Sequence, residues 1–225
     1  MKDRKYKFTD ETKEVYGTTL HRIVALKDFA GVENGDKGGW IENENNLSQY
    51  GNAWVYGNAR VFDNAEVYGD AMVYGDAMVY GNARVFDNAE VYGDAMVYGN
   101  AQVYGNAQVY GKAEVFGNAW VYGDAMVYGN AEVYGNARVF GRAEVFGIAM
   151  VYDNAGYIVF KNFWSSGRYF TWTRSNNMWR VGCFYGTGEE LIAKAYKDSE
   201  KSGREYERVV RYVESILADE QKENK

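Results

Sequence analysis

A chain of 225 residues with 26 glycines, 21 tyrosines and no proline is long enough for one large domain or one domain with appendages. Its formal net charge of −6 offers no general basic patch to nucleic acid or an anionic membrane, and its one cysteine, Cys183, excludes an internal disulfide framework and a cysteine metal cluster. No stretch approaches the ~18 apolar residues of a membrane helix, and the charged start MKDRKYKF leads into no apolar segment, so neither a membrane span nor a signal peptide is expected and the cytoplasm is the default compartment.

Residues 1–38 read as a small β-rich cap, with strand character in HRIVALKDF and turn signals in GVENGDKGG. A cap at this end covers strand edges and apolar core that a following repeat would otherwise expose. Two degenerate six-residue units come next, with Ile41 and Leu47 expected in an alanine slot and Tyr50 in an aromatic slot.

From Gly51 to Tyr152 the chain divides into 17 hexads of the form G-N/D-A-x-V-Y/F. The third position is always Ala, from Ala53 to Ala149, the fifth is always Val, from Val55 to Val151, and the sixth is Tyr or Phe. Gly opens 15 of the 17, with Asp63 and Asp87 as the exceptions. A period of six fits no helix face, since 3.6 residues per turn would smear Ala and Val around the cylinder. It fits a strand of four residues and a corner of two. Alternation along A-x-V-Y/F sends Ala and Val to one side and x and the ring to the other. Gly followed by Asn or Asp readily supplies the positive φ of a tight corner. The small-plus-branched pair is therefore the inside of a narrow prism.

Rotated to V-Y-G-N-A-x, this unit resembles the hexapeptide repeat of left-handed parallel β-helices, over 102 of the 225 residues. The resemblance implies a triangular prism with three hexads per coil. With the degenerate units it would have about six coils and a length of about 30 Å at the usual strand spacing. The segments KYKFTDETKEVYG and GGWIENENNLSQYGNAWVYGNA also resemble the front end of small phage and prophage hexapeptide-repeat proteins, whose activity is mostly unassigned. Under three hexads per coil, the stretch GNARVFDNAEVYGDAMVYG at 57–75, repeated at 81–99, recurs one coil up and one face around. All three faces thus accept the same residues, which argues against one differentiated site within the copied stretch. The expected fold is mainly β: a left-handed parallel β-helix over 39–152, the cap over 1–38 and an α+β module over 153–225.

In that last module, GYIVFKNFW, GRYFTWTR and NMWRVGCFY read as three strands carrying Trp164, Trp172 and Trp179. Thr187 with Glu190, and Ser202 with Glu205, read as capping boxes opening two helices. The second helix places Tyr206, Val209, Val213, Ile216 and Leu217 on one apolar face.

Most hexapeptide-repeat proteins of known chemistry are acyltransferases with a histidine base in or beside the prism, and zinc-dependent relatives use histidine ligands. Here the one histidine, His21, lies in the N-terminal segment and reads as a surface or packing residue. Cys183 reads as a buried strand residue, and the glycines of GCFYGTGEE do not follow GxGxxG. No catalytic residue, cofactor or metal is expected.

The outward surface carries 17 rings in three ladders, such as Tyr56, Tyr74, Tyr92, Tyr110, Tyr128 and Phe146, with five Met plus Trp54 and Trp120 in x slots. Ring stacking between coils explains the ladders, and aromatic and Met surface of this extent also suits a covered face. Across 51–152 there are 11 acidic and 5 basic residues, so the net charge sits on the prism. Asp70 and Asp124 share one edge, Asp76 and Asp94 a second, and the third is an Asn ladder from Asn64 to Asn154. The pattern points to a protein-interaction module, and the resemblance of the front end to phage and prophage proteins implies that it is phage or prophage encoded and binds and inhibits a host defence or nucleic-acid enzyme, with duplex mimicry as one version. The partner-facing residues are expected to be those four corner aspartates, the x-slot glutamates Glu66, Glu90, Glu114 and Glu132, and Trp54, Trp120 and Trp172. Homo-oligomers through the aromatic faces or the C-terminal module are compatible with it, and direct nucleic-acid binding is not expected. The alternatives are a transferase relative lacking the usual base and a structural protein that self-assembles through its prism ends.

Overall fold

The computed structural model describes residues 4–164 and 166–223. The chain forms two compact units, Met1–Gly156 and Tyr157–Lys225. In the first, 17 two-residue strands recur every six residues from Trp54–Val55 to Met150–Val151 and pair in parallel with the strand 18 residues on. They build three sheets, which we name by their first hexad strand: the Trp54 face with six strands, the Glu66 face with five, and the Arg60 face, which belongs to a nine-stranded sheet. The result is a parallel β-solenoid of about six coils.

The paired segment is x–Val, shorter than the four residues expected, because the chain must turn three times in every coil. The flanking residues still bond. In one hexad Trp54 N donates to Ala71 O at 3.0 Å and Tyr56 N to Val73 O at 2.8 Å, and at a corner Asp76 N donates to Gly93 O at 2.8 Å. Every repeat Ala and Val is buried, so the interior consists of one methyl and one isopropyl group per side. At the corners Gly69 has φ +73, and a Cβ there would meet Asp87 N at 3.0 Å. Asp63 and Asp87 adopt the same positive φ, 57° and 58°, and use their carboxylates to accept from Gly81 N at 3.0 Å and Gly105 N at 3.3 Å. Asp tolerates this backbone region better than most residues do.

The cap pairs its strands antiparallel, β1 (Tyr6–Val15) with β2 (Thr18–Ala25) and β2 with β3 (Lys37–Ile41), then joins the solenoid by parallel pairing of β3 to the Arg60–Val61 strand. Its register corrects one expectation. Ile41 lies opposite Val61 and Leu47 opposite Val67, so both occupy the valine slot. The six-residue spacing holds from Ile41 to Leu47, and two extra residues between Ser48 and Asn52 set this first coil out of step with the hexads that follow, so that the larger side chains fill the larger slot.

A solenoid's first coil exposes carbonyls with no preceding coil to serve them, and buried carbonyls need donors. Backbone donors supply three: Trp40 N to Ala59 O at 2.9 Å, Glu42 N to Val61 O at 3.2 Å, and Ser48 N to Val67 O at 2.9 Å. Asn46 Nδ2 serves Asp63 O at 3.0 Å and Ala65 O at 2.9 Å. On the Trp54 face, the ammonium of buried Lys5 donates to Ala53 O at 2.7 Å and Gly51 O at 3.4 Å, and lies 5.3 Å from the Phe29 ring centroid.

The second unit is a four-stranded antiparallel sheet in chain order, Tyr157–Lys161, Tyr169–Thr173, Met178–Val181 and Phe184–Gly186, followed by α1 (Gly188–Asp198) and α2 (Glu200–Glu223). Phe170, Trp172, Trp179 and Val181 from the sheet meet Leu191, Ile192, Val210 and Val213 from the helices. Four strands replace the expected three because Gly182, at φ +56, turns NMWRVGCFY back on itself. Cys183 sits in that turn and is exposed, contrary to expectation. The Thr187–Glu190 capping box forms as read. The second helix starts earlier than expected: Ser199, not Ser202, is its cap, accepting from Ser202 N at 3.1 Å. No helix among the described residues is long and apolar enough to cross a membrane.

Burial, reinforced by nearby Lys27 and opposed by Asp70, lowers the Lys5 ammonium from 10.5 to about 8. Between those values the unfolded chain binds a proton that the folded chain has released, so stability should rise with pH from about 8 towards 10. Lys5→Met should remove that rise and, by leaving carbonyls unserved, lower stability near neutral pH by about 1–3 kcal/mol. Urea unfolding of both proteins across this pH range checks both statements.

Candidate interaction surface

Because Ala and Val are committed to the interior, the x and aromatic side chains of every hexad stand outside. The rings stack from coil to coil. On the Arg60 face Phe62, Tyr80, Tyr98 and Phe116 are spaced 5.0, 4.9 and 4.9 Å and nearly parallel. Tyr74, Tyr92 and Tyr110 do the same on the Trp54 face at 4.7 and 4.8 Å, and Tyr68, Phe86 and Tyr104 on the Glu66 face at 4.9 and 4.8 Å. Stacking sheathes the strand backbone and leaves these rings half-buried, except Phe62, which is buried against Val15 and Leu20.

Tyrosines and glutamates of adjacent coils also bond. Tyr74 Oη donates to Glu90 Oε2 at 2.7 Å, Tyr98 Oη to Glu114 Oε2 at 2.9 Å, and Tyr128 Oη to Glu144 Oε2 at 3.0 Å. Burial first, and then the bonded carboxylate, push the Tyr74 and Tyr98 phenols above their ordinary range. The Asn edge is a true amide ladder: Asn64, Asn82, Asn100 and Asn118 each donate Nδ2 to the next amide oxygen, at 3.1, 3.1, 3.0 and 3.2 Å, and Asn136 accepts the last bond.

The expected contact residues scatter over the prism. Glu66 is on the Glu66 face beside Arg84, 3.6 Å away. Glu90 is on the Trp54 face. Asp124 is held by the Asn106 amide at 3.0 Å and by Arg142 at 3.4 Å, and both keep its carboxyl below the usual range. Asp70 shares that edge and accepts from Asn52 N at 3.3 Å. Trp120 is half-buried, with the Arg138 guanidinium 4.6 Å from its ring.

On the Arg60 face several do converge. Met78, Met96, Glu114 and Glu132 are successive register partners, and Asp76 and Asp94 occupy the corner leading into this face. Two tryptophans are corrections. Trp54 leaves the prism outward as expected, but Tyr6 and Phe29 pack edge-on over it at 6.1 and 5.4 Å, and it is 1% exposed. Trp172 lies in the core of the second unit, its Nε1 donating to Asn177 Oδ1 at 2.9 Å. Neither side chain is available to a partner.

One group that sequence reading missed is basic. Arg22, Trp40 and Arg60 stand side by side across β2, β3 and the first hexad strand of the Arg60 face. Their alignment depends on the two-residue register shift, which the hexad pattern does not announce. An open cleft of about 270 Å³ lies at the top of the Asn ladder, lined by Asn43, Asn45, Asp63, Asn64 and Glu66. Among the described residues no three His, Cys, Asp or Glu side chains are grouped as a metal site requires.

The raised phenols carry a stability prediction. A folded-state phenol above its unfolded value adds stability that is complete below about pH 10 and is lost as pH rises through the folded value. Tyr98→Phe should therefore cost about 1 kcal/mol at neutral pH and soften the alkaline loss of stability. Denaturant unfolding at pH 7 and pH 11 measures this; an unchanged alkaline profile would deny the Tyr98–Glu114 bond its role.

A protein-family profile described as YdcK Beta solenoid repeat matches residues 65–81, 89–105 and 101–115. No curated protein matches the chain. The matched segments lie within the hexads, and with the three-sheet geometry they make this a β-solenoid repeat protein.

Proposed function

We propose that the chain is a non-catalytic binding scaffold whose Arg60 face docks a protein partner. The observation that carries this is the four-coil strip Met78, Met96, Glu114, Glu132, flanked by the stacked rings of Tyr80, Tyr98, Phe116 and Tyr134. The strip is half-buried, contributes nothing to the Ala–Val interior, and sets adaptable apolar surface beside a pair of carboxylates. Such a surface suits a partner with an apolar patch bordered by basic residues.

The resemblance of the opening segments to phage and prophage repeat proteins supports a host protein, such as a defence or nucleic-acid enzyme, as the target that is bound and inhibited. Acidic pairs such as Asp76 with Asp94 are interrupted by Lys112 in the next coil. That spacing falls short of the duplex charge of one per ~1.7 Å, so a protein-docking reading is favoured over duplex mimicry.

A photocrosslinker at position 96 should capture one host protein, a crosslinker at Gln102 on the Glu66 face should not, and Glu132→Lys should weaken capture at least tenfold. Equal capture from both positions would overturn the reading. So would specific thermal stabilisation by acyl-CoA or a nucleotide sugar, which would favour the transferase alternative.

A further inference from the structure

Arg22, Trp40 and Arg60 are consecutive partners across three neighbouring strands. The residues that follow them, Ile23, Ile41 and Val61, are fully buried, so alternation points all three outward. The Arg22 guanidinium lies 5.1 Å from the Trp40 ring centroid, and Lys13 Nζ lies 5.7 Å from it. Arg22 and Arg60 are separated by two strand spacings, about 10 Å, within reach of two arginine side chains converging over the indole.

This cluster has more donors than the protein satisfies. Arg22 Nε, Trp40 Nε1 and Arg60 Nε are buried and have no acceptor among the described residues. Arg60 uses Nη2 on Asp76 O at 2.7 Å. Among the described residues no carboxylate forms an ion pair with Arg22, Arg60 or Lys13, and the nearby Glu11 is bonded to Lys37. Buried donors left unmet are costly, and folded proteins rarely tolerate them without a water or an ion. Three adjacent ones beside three cations that form no ion pair with a carboxylate among the described residues, Glu11 acting on Arg22 only at longer range, suit an acceptor that also carries negative charge.

We infer that Arg22, Trp40 and Arg60, with Lys13 above the indole, form a binding site for an oxyanion, a carboxylate or a phosphate group. Planar guanidinium groups pair with two oxygens at once, and the indole N–H supplies a neutral donor between them. The overall negative potential of the chain disfavours anions at long range, so the site selects by short-range geometry and its affinity is modest. It stands independently of the docking role proposed for the Met78–Glu132 strip.

The Trp40 indole ¹H–¹⁵N resonance, identified by its loss in Trp40→Phe, reports the site directly. The full chain is titrated with sodium phosphate, sodium acetate and sodium chloride at matched ionic strength. A saturable downfield shift with phosphate or acetate, absent with chloride, is expected, and the anion that produces it identifies the source chemistry. Arg22→Gln and Arg60→Gln should each weaken that response at least tenfold, while the Trp164 indole, also buried with no acceptor among the described residues, stays unmoved. The wild-type titration stands even if a variant folds poorly. Equal, non-saturating drift with all three salts would show that the donors are hydrated and overturn the site.

Discussion

Backbone pairing at a fixed interval of 18 residues, around an interior with room for one alanine and one valine per side, is the constraint on which this molecule depends. It decides the corners, since a residue of positive φ must open each hexad and glycine or aspartate does so. It decides the exterior as well. Once Ala and Val are committed inward, every x side chain and ring is forced out and laid directly over its counterpart one coil away. Stacked rings, amide ladders and Tyr–Glu bonds follow from that superposition, because like groups are held at the ~4.8 Å strand spacing whether or not they attract.

The same constraint creates the problem solved by the cap. A parallel solenoid cannot satisfy its own first coil, and the edge it presents would template pairing with another chain. The cap answers face by face, with backbone donors on the Arg60 and Glu66 faces, the Asn46 amide at the corner between them and the buried Lys5 ammonium on the Trp54 face. Lysine at that position is costly to bury, but its ammonium reaches two carbonyls to which no backbone N–H among the described residues donates. Trp54 completes the closure: it emerges in an outward slot and becomes the floor on which Tyr6 and Phe29 pack.

Much of this was legible in the hexads. The invariant Ala and Val marked the inside, the Gly-Asn and Gly-Asp pairs marked the corners, and the three-hexad coil brought by the resemblance gave the ladders that the register bears out. Legibility failed where a local event overrode the period. Two extra residues between Ser48 and Asn52 moved Ile41 and Leu47 into the valine slot and set Trp40 beside Arg60, a juxtaposition that no spacing rule signals. Period alone could not show that Trp54 would be covered, because its cover arrives from residues 6 and 29. In the second unit a single Gly182 turned one expected strand into two and carried Cys183 to the surface. The candidate site was legible as residue types and not as a place: the acidic residues were visible, but register alone gathers Glu114 and Glu132 beneath Met78 and Met96 and disperses Glu66 and Glu90.

Amide hydrogen exchange, resolved by residue, reads the pairing between coils directly. Protection with a period of six is expected through the middle coils. The x, aromatic and second-corner N–H groups, which donate to the next coil, should exchange slowly, and the opening glycine amides should exchange fast, apart from Gly81 and Gly105, which the Asp63 and Asp87 carboxylates hold. Uniform protection, a helical period, or rapid exchange at x positions such as Gln102 and Gln108 would contradict it.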